Sequence, residues 1–498
     1  MRIALRVAPG RERRWMRALC AGLGAAGHRL ELAHGAARPL AGDVAALLAL
    51  ERVVVDRGRA AGADVVDLEL PPAAPDPDLT LDFTDDAPTP GRAILATFDG
   101  VAGEDALIAA LLAGGAPLAR LVAESGDVVV EMRPALEAAR SLSGAIEAVG
   151  SRLAMAILAF VADGRPRLLG EAARPTRAPR SVAAAGAATL ARFAREAIAR
   201  RLAFAPHWRI GWRFVSGGDL LDRLSLEGPR WTVLADTGDR FYADPFALEH
   251  AGRTFLYFED YDHRVGRGAI SVVEFGREGP LGPARLVIEE PHHLSYPHVF
   301  EHDGALWMIP ESSAARDIAL WRCVELPHRW ERVATLVSGV EAADATVFRH
   351  AGRWWMTAVI RPDAGGYSDA LAIWHAPAPE GPWTAHPANP VLIDTRWARP
   401  AGSVAARGGK LVRPVQDCET LYGAALGFAE ITRLDPEGFA QRPLARLAPQ
   451  APLWPGTRLH TWTRAGALEA IDGDTVNPRF APARALYARR RTPRGSEV

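Results

Sequence analysis

The 498-residue chain has little cysteine and almost no lysine: Cys20, Cys323 and Cys418 are its three cysteines and Lys410 its one lysine. The cysteines lie far apart and form no C-x-x-C pair, which excludes a zinc ribbon or a disulfide scaffold and fits a reducing compartment. The shortage of lysine reads as coding bias, since arginine supplies the rest of the 58 basic residues. These face 59 acidic residues for a net charge of -1, so no global field draws the chain to nucleic acid or an anionic membrane. Long apolar runs are missing too. The longest, Leu153 to Ala162, is half of the ~20 residues a membrane span needs and fits a buried helix. The first residues run directly into Arg11-Glu12-Arg13-Arg14 without an apolar core or a small-residue cleavage site. The expectation is a cytoplasmic protein with no membrane span and no nucleic-acid partner, its oligomeric state open.

What is present is ordinary for packed cores, 49% hydrophobic and 23% charged residues, over a length that suits roughly two to four domains. Residues 1–164 alternate short apolar runs with helical ones: Ile3 to Val7, a helix over 12–26, Leu30 to Ala33 and a helix near 43–60. Further apolar runs are Val65 to Leu70, Leu79 to Phe83, Ala93 to Phe98 and Val128 to Met132, the last leading into a helical stretch from Leu142 to Val161. This is the pattern of an α/β domain. Residues 165–206 hold a Pro/Arg-rich linker and an Ala-rich bridging helix over 182–203. Residues 486–498 form a basic tail.

Between them, residues 207–485 change to short aromatic and β-branched runs punctuated by Gly and Asp. Five two-residue hairpin turns recur, centred on Gly252, Gly304, Gly352, Gly409 and Gly466, with spacings of 52, 48, 57 and 57. A period near 50 made only of strands predicts a five-bladed β-propeller, whose ring a strand around Trp208 to Phe214 or Trp231 to Leu234 can close against the last blade.

Several blade motifs occur in order: Tyr242-Ala243-Asp244-Pro245-Phe246, Ser295-Tyr296-Pro297-His298-Val299-Phe300, Trp307-Met308-Ile309-Pro310-Glu311-Ser312, Ala343-Asp344-Ala345-Thr346-Val347-Phe348 and Arg399-Pro400-Ala401-Gly402-Ser403. They resemble the propeller of the glucosamine inositolphosphorylceramide transferase N-terminal family, which is similar in fold to the five-bladed arabinanase/invertase glycosidases. The resemblance implies that Asp244 matches a first-blade aspartate acting as base or nucleophile, and Asp344 a third-blade aspartate that orients substrate and tunes the acid. Where those glycosidases place a later-blade Glu as acid, the fourth blade here has Arg399-Pro400-Ala401-Gly402, so Glu311 is the substitute candidate.

Glu124-Ser125-Gly126-Asp127-Val128-Val129 and the element order of residues 1–164 resemble a formyltransferase domain of Rossmann-like α/β type. That chemistry needs an Asn, a His two residues on and an Asp. Here Ala96, Phe98 and Glu124 stand in those places, so a degenerate domain is expected and formyl transfer is not. Gly22-Leu23-Gly24-Ala25-Ala26-Gly27 matches a dinucleotide fingerprint in letters, yet falls at the end of a helix with Gly27 as its cap.

Asp244, His298, Asp344, Pro400 and His460 precede their turn glycines by 8, 6, 8, 9 and 6 positions, and Glu259, Glu311, Val359, Gln416 and Gly473 follow them by seven. Polar groups of similar phase in successive blades converge on one axial pocket. Arg399, Arg413, Gln416 and Asp417 form a polar group on the fourth blade suited to hydroxyl or phosphate contacts. His298 and His460 with the two aspartates can ring a cation at the axis or be satisfied structural histidines. The expectation is a carbohydrate-active protein, glycoside hydrolase- or transferase-like, taking a glycan, a glycolipid head group or a nucleotide-sugar. A non-catalytic sugar-binding or scaffold protein is the alternative.

Overall fold

The structure is a computed structural model and describes residues 1–87, 91–170, 180–361, 364–450, 453–454 and 456–479. The expected basic tail and part of the linker lie outside these residues. The chain forms two compact units, one of Met1–Ala191 with Arg361–Ala372 and His386–Ala398, the other of Arg192–Ile360, Ile373–Ala385 and Arg399–Val498.

In the first unit a sheet runs in the order Arg29–His34, Arg2–Val7, Leu79–Asp82, Ala93–Phe98, Ala119–Ala123, Val128–Met132. The first four strands are parallel and the last two antiparallel. The apolar segments form the strands because the face they share is covered: Ile3, Leu5, Leu81, Ile94 and Leu121 join one core with Trp15, Leu19, Val149 and Leu153 of helices Arg14–Ala25 and Leu142–Asp163. The second of these is apolar enough to cross a membrane by composition, but it is the unit's core helix, with 67% of its most apolar window buried.

Two expectations change here. Val65 to Leu70 makes only an isolated bridge, from Val65 to Arg13, because the Leu79–Asp82 strand takes the place beside Arg2–Val7. The helix near 43–60 ends earlier, as Gly42–Val54. Gly22 and Gly24 lie in the last turn of the Arg14–Ala25 helix and Gly27 follows it at φ +83°, so the fingerprint glycines cap a helix end and open none. Ala96 and Phe98 are buried in the core and Asp99 Oδ1 accepts the Leu118 N–H at 2.8 Å, so none of the three offers a proton relay. A helix, Val182–Leu202, covers the Ala-rich stretch.

The second unit is a propeller of five sheets. Each expected turn is present: His250 pairs Arg253, His302 pairs Ala305, His350 pairs Arg353, Arg407 pairs Lys410 and Ala465 pairs Leu468. In the first four turns both central residues have positive φ, the type I′ geometry whose twist matches the strands. The fifth blade is completed by the Ala203–Phe214 strand, which pairs along Leu468–Pro478 and carries Thr232–Val233 on its outer side. The ring closes with a strand from before the first blade.

Candidate functional site

Blades one, two and three begin with the same irregularity. Against the second strand of each blade the register slips by one residue, between Ala243 and Phe246, Ser295 and His298, and Ala343 and Thr346. The bulged residues Asp244, Tyr296 and Asp344 have φ of +51°, +44° and +58°, a region non-glycine residues occupy at a cost of roughly 1–3 kcal/mol. All three precede their turn glycine by eight positions. Opposite the residue before each bulge stand Glu259, Glu311 and Val359.

The first of these bulges aims Asp244 at a cavity of about 310 Å³, which Glu259 and Glu311 also line together with Arg399 and His460. Trp208, Phe241, Tyr261 and Tyr422 supply aromatic walls, and His263 and His293 also line it. Asp344 lies against this set: its Oδ2 accepts Arg399 Nε at 2.6 Å and Gln416 Nε2 at 2.9 Å. Arg399 reaches onward to Glu311 Oε2 at 4.0 Å and donates to the Tyr422 hydroxyl at 3.2 Å. Tyr296 serves differently, its hydroxyl accepting the Gly402 N–H at 2.8 Å and sharing a bond with Thr346 Oγ1 at 2.9 Å. That pins the segment carrying Arg399. Gly402 sits at φ +135° with the Trp462 carbonyl 2.1 Å from where a Cβ would stand, so no other residue fits.

Asp244 accepts Thr461 Oγ1 on Oδ1 at 2.9 Å, and its own N–H donates to Asp472 Oδ2 at 2.8 Å. His460 stands between these two acids, Nδ1 at 2.7 Å from Asp472 Oδ1 and Nε2 at 3.7 Å from Asp244 Oδ1, its ring stacked on Trp208 at 3.9 Å. Burial disfavours the imidazolium, but Asp472 and Asp244 outweigh it and raise its pKa. Asp244, His460 and Asp472 bring three ligand-type atoms within 4.8 Å of one another. Asp472 holds the group together, bonded to His460 Nδ1 and accepting the Asp244 N–H, and no metal is assigned to it.

Two basic groups, Arg399 and His460, thus face five carboxyl groups, Asp244, Glu259, Glu311, Asp344 and Asp472. Full ionisation would leave buried negative charge uncompensated, so protons are retained. Burial, then Asp472 and Asp344, pushes Asp244 up to about 6. Burial and Glu311 push Asp344 up to about 7 against the pull of Arg399. Burial raises Glu311 too, against Arg399. Glu259 rises well above the usual carboxylate range through burial, Asp244 and Glu311.

The other expected binding residues divide. Gln416 supports Asp344 and also donates to the Pro400 carbonyl at 2.9 Å. His298 does not line the cavity. It stands two residues beyond the bulge, where blade one has Phe246 and blade three Thr346, with Nε2 3.0 Å from the Val347 carbonyl and its ring against Phe246 and Phe300. Burial takes its pKa down to about 4, which makes it a neutral packing histidine and removes it from the expected cation ring. Arg413 is also buried away from the cavity, donating to Gln441 Oε1 at 2.7 Å, its pKa lowered by burial to about 10. Asp417 is paired with Arg446. The fourth-blade polar group therefore does not act together: Arg399 lines the cavity, Gln416 lies behind it, and Arg413 and Asp417 bond elsewhere because alternate residues of a strand point to opposite faces.

Residues 232–463 match the family model described as Glucosamine inositolphosphorylceramide transferase 1, N-terminal. The propeller motifs carry that resemblance. The Oryza sativa subsp. japonica protein named Glucosamine inositolphosphorylceramide transferase 1 is 29% identical over 263 residues, 50% of this chain and 35% of that protein. Its Arabidopsis thaliana namesake is 29% identical over 208 residues, 40% of this chain and 27% of that protein. The chain spans about a third of the length of these relatives. Among solved structures, the Cellvibrio cellulosa alpha-L-arabinanase complexed with arabinohexaose is 16% identical, covering 48% of this chain and 83% of that one, with a TM-score of 0.31. The Phanerochaete chrysosporium exo-beta-1,3-galactanase with beta-1,3-galactotriose is 14% identical over 44% and 54%, with a TM-score of 0.32.

Proposed function

We propose that the propeller's axial cavity binds a carbohydrate, as a glycan, a glycolipid head group or the sugar of a nucleotide-sugar, and acts on its glycosidic bond. The observation that carries this reading is the convergence of Asp244, Glu259 and Glu311 with Arg399 and His460 in one aromatic-walled cavity. Aromatic faces stack sugar rings, forked and charged donors hold hydroxyls, and carboxyls of unequal proton affinity supply an acid and a base. Asp244 is the base or nucleophile, ionised above about 6 and with Oδ2 free of protein donors among the described residues. Asp344, locked by Arg399 and Gln416, orients Arg399 and Glu311. The family match supports carbohydrate as the ligand class.

A binding-only role is the second reading, favoured by Arg399, which ties Asp344 and approaches Glu311 where a fourth-blade acid would stand. For the first unit we propose a formyltransferase-like scaffold without transfer chemistry. The test is a panel of glycosides and nucleotide-sugars with wild type and Asp244→Asn. Catalysis predicts that the variant folds and binds but loses turnover by several orders of magnitude. Binding alone predicts loss of affinity and no turnover in either protein.

A further inference from the structure

The site lacks the fourth-blade glutamate expected of a glycosidase acid, and Glu311, its substitute candidate, is engaged. Ser313 Oγ donates to Glu311 Oε1 at 3.1 Å, Arg399 stands 4.0 Å from Oε2, and Asp344 is a hydrogen-bonding neighbour. Glu259 is in the opposite situation. It lines the same cavity from the second strand of blade one, paired across the ladder with Ala243 beside the bulged Asp244. Its side chain is 9% exposed. Among the described residues nothing donates a hydrogen bond to either of its oxygens.

The basic side chain beside it is His293, whose Nε2 stands 3.5 Å from Oε1, longer than an ordinary hydrogen bond. His293 Nδ1 accepts the Gly268 N–H at 2.9 Å, and burial holds that histidine down at about 4, so the ring is neutral and brings no compensating charge. The charged groups that act most strongly on Glu259 are Asp244, Glu311, Asp472 and Asp260, all acidic, while the cavity's basic groups, Arg399 and His460, are taken up by Asp344 and Asp472. Asp260 is already satisfied by Arg240 at 2.7 Å and Ser271 at 2.8 Å. A buried carboxylate without a donor among four acidic neighbours is far less stable than the neutral acid, and a neutral acid facing a cavity has a proton to give.

We infer that Glu259 is the proton donor of the axial site, a neutral carboxylic acid that protonates the leaving oxygen of a glycosidic bond. The inference rests on the cleavage reading above. As the bond between anomeric carbon and leaving oxygen breaks, its electron pair stays on that oxygen, which takes the Glu259 proton. A water oxygen bonds to the anomeric carbon and its proton passes to the Asp244 carboxylate. Water is thereby added across the bond, and exchange with solvent returns the proton from Asp244 to Glu259.

Two measurements on the full chain test this. In infrared difference spectra at pH 7, Glu259→Gln removes a protonated-carboxyl band; loss of a carboxylate band instead overturns the inference. In kinetics on phenyl and 2,4-dinitrophenyl glycosides of the same sugar, Glu259→Gln lowers phenyl glycoside turnover about 10²–10⁴-fold. The dinitrophenyl glycoside, whose leaving group needs no proton, changes less than about tenfold, and Glu311→Gln shows no such split. A split in Glu311→Gln with none in Glu259→Gln overturns the assignment. Wild type that turns over no glycoside overturns the cleavage reading itself, and the donor role falls with it. That result differs from a failure of Glu259 alone, in which a wild-type rate exists and Glu259→Gln leaves it unsplit.

Discussion

Asp244 and Asp344 are buried carboxyls on strained backbone, and both bind protons more tightly folded than unfolded, rising from 3.8 to about 6 and about 7. Raised acids favour the folded state while protonated, so stability falls as pH climbs from about 4 to about 7. His460, raised by Asp472 and Asp244, adds in the same direction: its contribution is present below 6.5 and lost as pH rises through the folded value. We expect the urea midpoint of wild type to fall between about pH 4 and 7, and that of Asp244→Asn to fall less steeply over the lower part of that range. Parallel slopes in the two proteins would contradict the proton affinity assigned to Asp244. At this scale the sequence was partly legible. The aspartates eight before their glycines could be read directly, and the same count points to Tyr296, which the chemistry of His298 obscured. Trp208, Tyr422 and Asp472 join the site from distant segments with no local signal.

Each blade starts from a two-residue turn whose geometry is local, which is why all five were visible in the chain as written. The bulges are not local: a slipped register exists only relative to the partner strand, so the emergence of His298 between blades required coordinates. The closing strand Ala203–Phe214 was legible in outline from its aromatics. Its importance follows from what it covers. Ile210 pairs Asp472, next in sequence to Ile471 of the core and itself bonded to His460 and Asp244. Gly211 lies where a Cβ would stand 2.3 Å from the Trp454 ring. A proline at position 210 fixes φ at roughly −65° within a strand paired on both sides and removes the fully buried Ile210 side chain, so Ile210→Pro should destabilise the propeller by ~3 kcal/mol or more. Leu286→Pro on the outer strand Arg285–Ile288 should cost less. Chemical denaturation followed by tryptophan fluorescence measures both. Equal losses would mean that ring closure contributes nothing beyond an ordinary edge.

The two units divide the chemistry unequally. The first is built on an α/β sheet, and the residues that the proposed formyltransferase likeness would place at a transfer site are Ala96 and Phe98, inside the core, and Asp99, bonded to Leu118. Nearby, Arg11 and Arg13 are both buried against Glu104, at 2.5 and 2.6 Å, with Asp105 on the second nitrogen of Arg11 at 2.7 Å. These ion pairs satisfy their own charges. A group that must cycle between proton donor and acceptor cannot do so while held in such a pair, and apolar Ala96 and Phe98 cannot cycle at all. The second unit has the reverse character, with acids of raised proton affinity facing a cavity. The full chain should therefore transfer no formyl group from a folate donor to amino-sugars, while Asp244→Asn alters whatever reaction it performs on a glycoside and Glu124→Gln leaves that reaction unchanged. Formyl transfer measured by product mass, and abolished by Glu124→Gln, would return the chemistry to the first unit and reduce the propeller to recognition.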